Sequence, residues 1–408
     1  MNLVLHDLIP MSLGIYISAP FCRSKCTYCN FASGVFSAAQ MGRYMERVCE
    51  DIASSQTLAS QYKAELPGPV DSIYLGGGTP SLLPAEGLKK IFATLRQQYD
   101  VSPACEVTVE CAPGTLPDTV LETLVACGVN RVSLGVQSFI DQEAASVARL
   151  HTREKTLDDI ERLRRHGISN INVDLIAGLP HQTEQSWHES LGQAVAVDVP
   201  HVSIYMLEVD EDSRLGREVM AGGTKYHAHF VPDDDATAEF YQTACAMLAR
   251  AWIPQYEISN FTRAGFGSRH NMKYWTRQPY MGFGLDAHSM LPASAESRAQ
   301  GSESWRFSTT DSLDKFLISA ETQATAVTEA QALEETFFLG LRLNCGVSLR
   351  AAGQRFGEEA NKFVPAIEEL MQNGLLHFED DTISLTPRGR LLSNEVFEKF
   401  VQWQPASH

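Results

Sequence analysis

The chain has 408 residues, a formal net charge of −17, 44% hydrophobic residues and 20% charged residues. That length allows more than one domain, and the composition is that of a globular protein with an extensive core. The negative charge disfavours broad attraction to nucleic acid or anionic lipid, and no apolar run is long enough to span a bilayer, so a cytoplasmic protein without an integral membrane segment is expected.

From residue 13 to about 207, short β-branched runs alternate with amphipathic stretches of helical period. The runs are Leu13–Ser18, Val70–Leu75, Glu106–Glu110, Arg131–Val136, Asn170–Ile176 and His201–Leu207. Between them lie Ala38–Ser60, Ala85–Tyr99, Pro117–Cys127, Arg153–Arg165 and Glu184–Ala196. Strand, helix, strand in repetition predicts parallel βαβ units with right-handed crossovers. Six such units suggest an α/β fold with a partial (β/α)6 barrel, whose functional groups stand at the C-terminal ends of the strands.

The loop after the first run carries Cys22, Cys26 and Cys29. Three thiolates at this spacing can hold three corners of a [4Fe–4S] cluster and leave the fourth iron open to a ligand. Structural zinc wants four ligands, usually as two pairs, and no second pair lies nearby. A disulfide framework is disfavoured because nine cysteines are scattered along the chain with no secretory segment before them. Cys49, Cys105, Cys111, Cys127, Cys245 and Cys345 read mostly as small buried hydrophobes.

Other polar residues fall where later strands end. Gly76-Gly77-Gly78-Thr79-Pro80 follows the second run, and glycines there let backbone approach a ligand or simply turn tightly. Glu110, Gln137 and Asp174 stand at or near the ends of otherwise apolar runs, where burial is costly without a partner. Three of them on successive strands suggest a polar ligand inside the barrel. Arg149 is either a surface arginine at a helix end or a charge-assisted contact to a carboxylate.

After residue 210 the pattern loosens into a connection containing Gly222, Gly223, His227, His229 and Asp233–Asp235. Ala236–Ala251 predicts a helix, Gln255–Phe261 a strand, then an aromatic-rich segment to Met290, and Pro292–Ser304 a loop. From about Thr328 the order becomes helical and then a hairpin: Leu349–Phe356, Phe363–Asn373, Leu375–Phe378 and Thr382–Leu385. The expected division is a barrel core over 1–210, a barrel extension over 211–325 and a winged-helix-like domain over 326–408. Glu358, Glu359, Glu368 and Glu369 against the single Lys362 make the Glu358–Met371 region unsuited to DNA phosphate, so this domain is read as a packing or partner unit.

The Cys-x3-Cys-x2-Cys spacing after a short strand resembles the signature of the radical S-adenosylmethionine (SAM) superfamily. More of the chain resembles the oxygen-independent coproporphyrinogen III oxidase group within it: Tyr16, the cysteines, Gly76–Leu83, Arg131–Phe139, Val173–Pro180, Ser203–Leu207 and Gly282–Ser289. The resemblance covers nearly the whole chain. It implies SAM on the open iron, an electron donor to the cluster, and SAM contacts from Tyr16, Tyr28, Gly77, Gly78, Thr79, Glu110, Gln137, Arg149 and Asp174, with Met206 as an addition.

Two branches of that group separate here. The dehydrogenase branch has a fourth cysteine where this chain has Phe31, and an N-terminal extension where only twenty-one residues precede Cys22. His270-Asn271-Met272-Lys273-Tyr274-Trp275 matches the His-Asn-x-x-Tyr-Trp motif of the haem-chaperone branch. That branch implies haem held near His270, Asn271, Tyr274 and Trp275 and passed to a haem-accepting protein. The residues alone equally allow Tyr274 and Trp275 as core aromatics with His270 capping a turn.

The alternative activity is anaerobic oxidative decarboxylation of coproporphyrinogen III, and a third reading is a structural or redox cluster without SAM. A homodimer remains open. Two departures from the group's pattern are Ala112, where asparagine is usual before proline, and His181, where glycine is usual. His181 either adds haem affinity or is a solvated loop residue, and is read as the latter.

Overall fold

The computed structural model describes residues 11–319 and 321–401. The first ten residues, on which part of the short-N-terminus expectation rests, lie outside them. All six expected runs form strands: β1 (Leu13–Ala19), β2 (Val70–Gly77), β3 (Val101–Cys111), β4 (Arg131–Gln137), β5 (Asn170–Ala177) and β6 (His201–Met206). Each lies parallel to the next, with helices Ala38–Gln61, Ala85–Gln98, Asp118–Ala126, Arg153–Arg165 and Glu184–Ala196 crossing between them.

Period-two alternation divides these strands into two faces. Ile15, Ile17, Ile73, Leu75, Val107, Val109, Val132, Leu134, Ile171, Val173, Val202 and Ile204 are buried in one core with helix residues such as Val48, Ile52, Leu88 and Ile91. The opposite face carries Tyr74, Glu110, Ser133, Asn172, Asp174 and Ser203, which bond to one another across strands. Parallel strands covered on both sides ordinarily read apolar throughout. Here the inner face is polar, and the barrel interior is suited to a polar occupant.

Both edges of this sheet are extended by later segments. β7 (Asn260–Thr262) adds antiparallel to β6, and β8 (Tyr280–Phe283) adds parallel to β1. β9 (His288–Pro292), β10 (Ser304–Thr309) and β11 (Thr322–Val327) continue antiparallel beyond β8, giving eleven strands in the order β11-β10-β9-β8-β1-β2-β3-β4-β5-β6-β7. Among the described residues the end strands β11 and β7 do not pair, so the barrel stays open.

Two local expectations are corrected. Of the expected strand Gln255–Phe261 only Asn260 and Phe261 are strand, within β7, because the Tyr256 N–H bonds back to the Asn260 carbonyl at 3.0 Å and closes a turn instead. The expected loop Pro292–Ser304 contains a helix over Ala295–Ala299, capped by the Ser294 hydroxyl on the Ser297 N–H at 3.3 Å. The expected helical stretch Phe363–Asn373 is the helix Val364–Gln372, preceded by a 3₁₀ segment over Gly357–Phe363, with Pro365 in the helix's first turn.

β12 (Val347–Ser348), β13 (Leu376–Glu379) and β14 (Thr382–Leu385) form a separate three-stranded sheet in the order β12-β14-β13. A second core surrounds it, centred on Phe337, Phe363 and Phe400, whose rings lie 5.0–5.3 Å apart. The Arg277 guanidinium, which belongs to the larger body, meets Glu335 of this core's first helix at 2.7 Å. No helix among the described residues is long and apolar enough to cross a membrane.

Candidate functional site at the barrel rim

β1 ends at Ala19, and the loop beyond it is pinned by backbone bonds between Cys22 and Gly34 at 2.8 Å in one direction and Gly34 and Pro20 at 2.8 Å in the other. This holds Cys22, Cys26 and Cys29 half-buried as free thiols at the strand's C-terminal end. The Thr79 hydroxyl approaches the Cys22 sulfur at 3.9 Å, and the Ser33 hydroxyl approaches the Cys29 sulfur at 3.9 Å. Burial raises the Cys22 thiol, opposed by the hydroxyls of Ser33 and Thr79. Among the described residues no three His, Cys, Asp or Glu side chains gather tightly enough for a single metal ion. A four-iron cluster instead spreads its thiolates over separate corners.

The Gly76–Thr79 turn follows β2 directly. A Cβ at Gly76 would sit 2.9 Å from both the Glu110 carboxyl and the Tyr74 ring, so the absence of a side chain admits these two groups. Gly77 has φ +95°, a left-handed turn that lets its N–H point at Glu110 Oε2, 3.2 Å away. Glu110 Oε1 also accepts from the Tyr74 hydroxyl at 2.8 Å. Burial pushes the Glu110 carboxyl up to about 7, with Asp174 adding to the rise and the Tyr74 and Gly77 donors opposing it.

Asp174 accepts from Ser133 at 3.0 Å and Asn172 at 2.7 Å, and burial raises its carboxyl as well. Gln137 ends β4 in the left-handed region at φ +67°, where the β4–β5 register shifts. Its amide nitrogen comes within 3.1 Å of where a Cβ of Gly135 would stand, beside the Arg149 guanidinium at 3.2 Å. Arg149 donates to the Tyr28 hydroxyl at 2.9 Å, and its Nε is buried without a partner. Met206 ends β6 beside Ala177 of β5.

Two buried carboxyls held by neutral donors and an arginine with an unused Nε give the inner rim unbalanced polar groups. A zwitterion carrying an ammonium, a carboxylate and ribose hydroxyls matches that set: ammonium for Glu110, hydroxyls for Asp174 and Gln137, carboxylate for Arg149. The expected SAM residues thus come together on one rim, with Tyr16 one layer below. Its ring lies 6.1 Å from Tyr74 and 6.2 Å from His270.

The expected haem residues lie elsewhere. His270, Tyr274 and Trp275 sit on the helix Arg269–Trp275, against the N-terminal halves of β1 and β2. His270 is 1% exposed, with Nδ1 3.1 Å from the Ser72 hydroxyl and Nε2 2.9 Å from the Tyr274 hydroxyl. Burial lowers its pKa to about 3. Trp275 packs under the Arg342 guanidinium, 4.2 Å from the ring centre, and Asn271 joins the Ser268 cap through its backbone N–H at 3.3 Å. In this arrangement both His270 nitrogens face hydroxyl partners, so iron ligation by this imidazole would require one of those contacts to open. The motif fills the barrel's lower half as packed aromatic core.

Sequence reasoning passed over Tyr74 and Arg131. Tyr74 reads as one more strand aromatic, and its partnership with Glu110 appears only when β2 and β3 are set in register. Arg131, 2% exposed inside the barrel with an unpartnered Nε, carries the positive potential that opposes the rise of both Glu110 and Asp174.

The radical SAM superfamily signature matches residues 16–194, and the HemN C-terminal domain matches residues 327–392. The heme chaperone HemW of Lactococcus lactis is 31% identical over 391 residues, covering 95% of this chain and 96% of that protein. The heme chaperone HemW of Bacillus subtilis is 32% identical, covering 95% and 98%. The solved structure of the Escherichia coli coproporphyrinogen III oxidase HemN superposes with a TM-score of 0.80 over 96% of this chain and 90% of that one, at 20% identity, a likeness of fold. The cysteine loop, the polar barrel rim and full-length similarity together establish that this chain belongs to the radical SAM superfamily, within the HemW group that carries a HemN-type C-terminal domain.

Proposed function

We propose that the protein is a haem chaperone: it binds haem at the open rim of the barrel and passes it to an acceptor protein. Cys22, Cys26 and Cys29 would hold a [4Fe–4S] cluster, and Tyr28, Gly77, Gly78, Thr79, Glu110, Gln137, Arg149 and Asp174 would hold SAM on its open iron. When bound, this pair supplies one-electron cleavage chemistry. The chain's own residues orient the nucleoside, neutralise its charged ends and keep it beside the cluster.

The observation that supports the chaperone reading best is the apolar exposure around the site. Phe31 is 61% exposed, Val35 67% and Leu150 75%, all on loops that ring the rim. Large apolar side chains left bare around a polar pocket fit a flat macrocycle received and released at a surface. Phe31 also stands where the dehydrogenase branch has its extra cysteine.

The test is hemin titration of the cluster-reconstituted protein, followed by transfer to an apo-haem protein, alongside an anaerobic assay with coproporphyrinogen III, SAM and reductant. Stoichiometric hemin uptake and transfer without protoporphyrinogen formation is expected. Absence of hemin uptake would remove the reading, and protoporphyrinogen formation would replace it with the dehydrogenase.

A further inference from the structure

One group of rim side chains is used by none of the barrel motifs. His181 follows β5, and His227 and His229 lie in the 3₁₀ segment Lys225–Phe230. The two segments are tied by the His181 N–H on the Phe230 carbonyl at 3.0 Å, and His181 Nε2 lies 3.0 Å from His227 Nδ1. The Phe230 ring is 4.0 Å from the imidazole of His181 and 4.0 Å from that of His229.

This group is held at a conformational cost. His181 has φ +68°, Tyr226 +54° and His227 +61°, the left-handed region that side chains other than glycine rarely enter. Such residues are strained and persist where surroundings or function hold them. Glycine would take the backbone of residue 181 freely, and His227 and His229 are exposed, so core packing does not demand imidazoles here.

The pair has the arrangement of a metal ligand with its outer-shell partner. With its proton on Nδ1, His227 donates to His181 Nε2, leaving its own Nε2 lone pair facing outward. Three ligands do not converge on one ion here. A single imidazole suits a metal already held in a macrocycle. Exposed Tyr226 and Phe230 flank it, and the Arg214 guanidinium, which also donates to the Lys25 carbonyl, lies 5.5 Å from the Tyr226 ring centre.

Resting on the chaperone reading, we infer that haem iron is ligated by His227 Nε2, with His181 as its positioning residue and Tyr226 and Phe230 packing the porphyrin. Ala228 shares an apolar cluster with Tyr28, Ile176 and Leu179, so haem held this way lies on the same rim as the cluster loop.

The test is titration of hemin into the full-length, cluster-reconstituted protein, read by resonance Raman and electron paramagnetic resonance. Wild type should show an iron–histidine signature. His227→Ala should lose it and bind hemin at least about tenfold more weakly, with added imidazole restoring the signature. His181→Gly should keep ligation but shift the iron–imidazole stretching frequency, a change that a purely structural role would not produce. Unchanged affinity and signature in His227→Ala, with wild type binding normally, would overturn this assignment alone. Failure of wild type to take up hemin would overturn the chaperone reading and this assignment together.

Discussion

The Tyr274 hydroxyl lies 2.9 Å from His270 Nε2 and occupies the position an iron would need. The other ring nitrogen meets Ser72, and the imidazole face stacks on Tyr74 at 5.4 Å. Tyr74 in turn donates to Glu110 on the rim. The His-Asn-x-x-Tyr-Trp motif is thereby connected through one ring to the rim carboxyl, and it packs beneath that rim.

His270→Ala should therefore cost about 2–4 kcal/mol of stability, because it opens a cavity and orphans the Ser72 and Tyr274 hydroxyls. Hemin affinity should stay near wild type, while SAM affinity drops several-fold as Tyr74 loses its backing. Chemical denaturation and ligand titration on the same preparation read both effects. Lost hemin binding with unchanged stability would contradict this account.

Glu110 gives SAM binding a pH dependence with a definite sign. Its carboxyl, raised to about 7 by burial, is protonated below that pH and must ionise to pair with an ammonium. Affinity should rise as pH increases from about 6 to 8, approaching tenfold per unit on the acidic side, with a proton released on binding. Without ligand the sign reverses: the raised pKa favours the folded state below 7, and that contribution is lost as pH rises from the unfolded value through 7. Calorimetric titration at several pH values should show the slope in wild type and a flat, weaker profile in Glu110→Gln.

The cysteine loop predicts a sharp division among nine thiols. Cys22→Ser, Cys26→Ser or Cys29→Ser should each lower iron content after reconstitution to under about a tenth of wild type, since three thiolates are the minimum for an open cluster. Cys345→Ser should leave it unchanged, although Cys345 is exposed and departs from the buried pattern expected of the other cysteines. Iron and sulfide analysis with visible absorbance distinguishes the two classes.

Much of this organisation is legible in the sequence because period-two alternation and strand-end residues are local signals. The six core strands fall within a few residues of their expected limits, and Glu110, Gln137 and Asp174 announce themselves as polar groups in apolar runs. Partnerships that depend on register are not local. Tyr74 with Glu110 needs β2 beside β3, and the burial of His270 needs a helix near residue 270 folded under strands that begin near residue 13. The short antiparallel strands β9 to β11 are hidden for the same reason, since edge strands carry weaker patterns than buried parallel ones. His181 was legible only as an oddity. Its φ of +68° and its contact with His227 turn it into half of an imidazole pair.

The junction between the two cores rests on a buried charge. Arg277 donates to Glu335 at 2.7 Å and to Glu303 at 3.1 Å, and Arg306 also reaches Glu335 at 2.6 Å. Arg277 and Glu335 are almost fully buried, so removing the carboxylate leaves the guanidinium with Glu303 alone as counter-ion in a poorly solvated place. Glu335→Ala should cost about 3–5 kcal/mol, whereas removing the half-exposed Arg355 from its contact with Glu303 should cost under about 1 kcal/mol. Because Glu335 lies on the first helix of the smaller core, the loss should appear as an earlier, separate melting step for residues 329–400, with the cluster's absorbance retained through it. Calorimetry followed in parallel with visible absorbance resolves the order, and a single cooperative transition at the wild-type temperature would show that the two cores are held together by their apolar contacts instead.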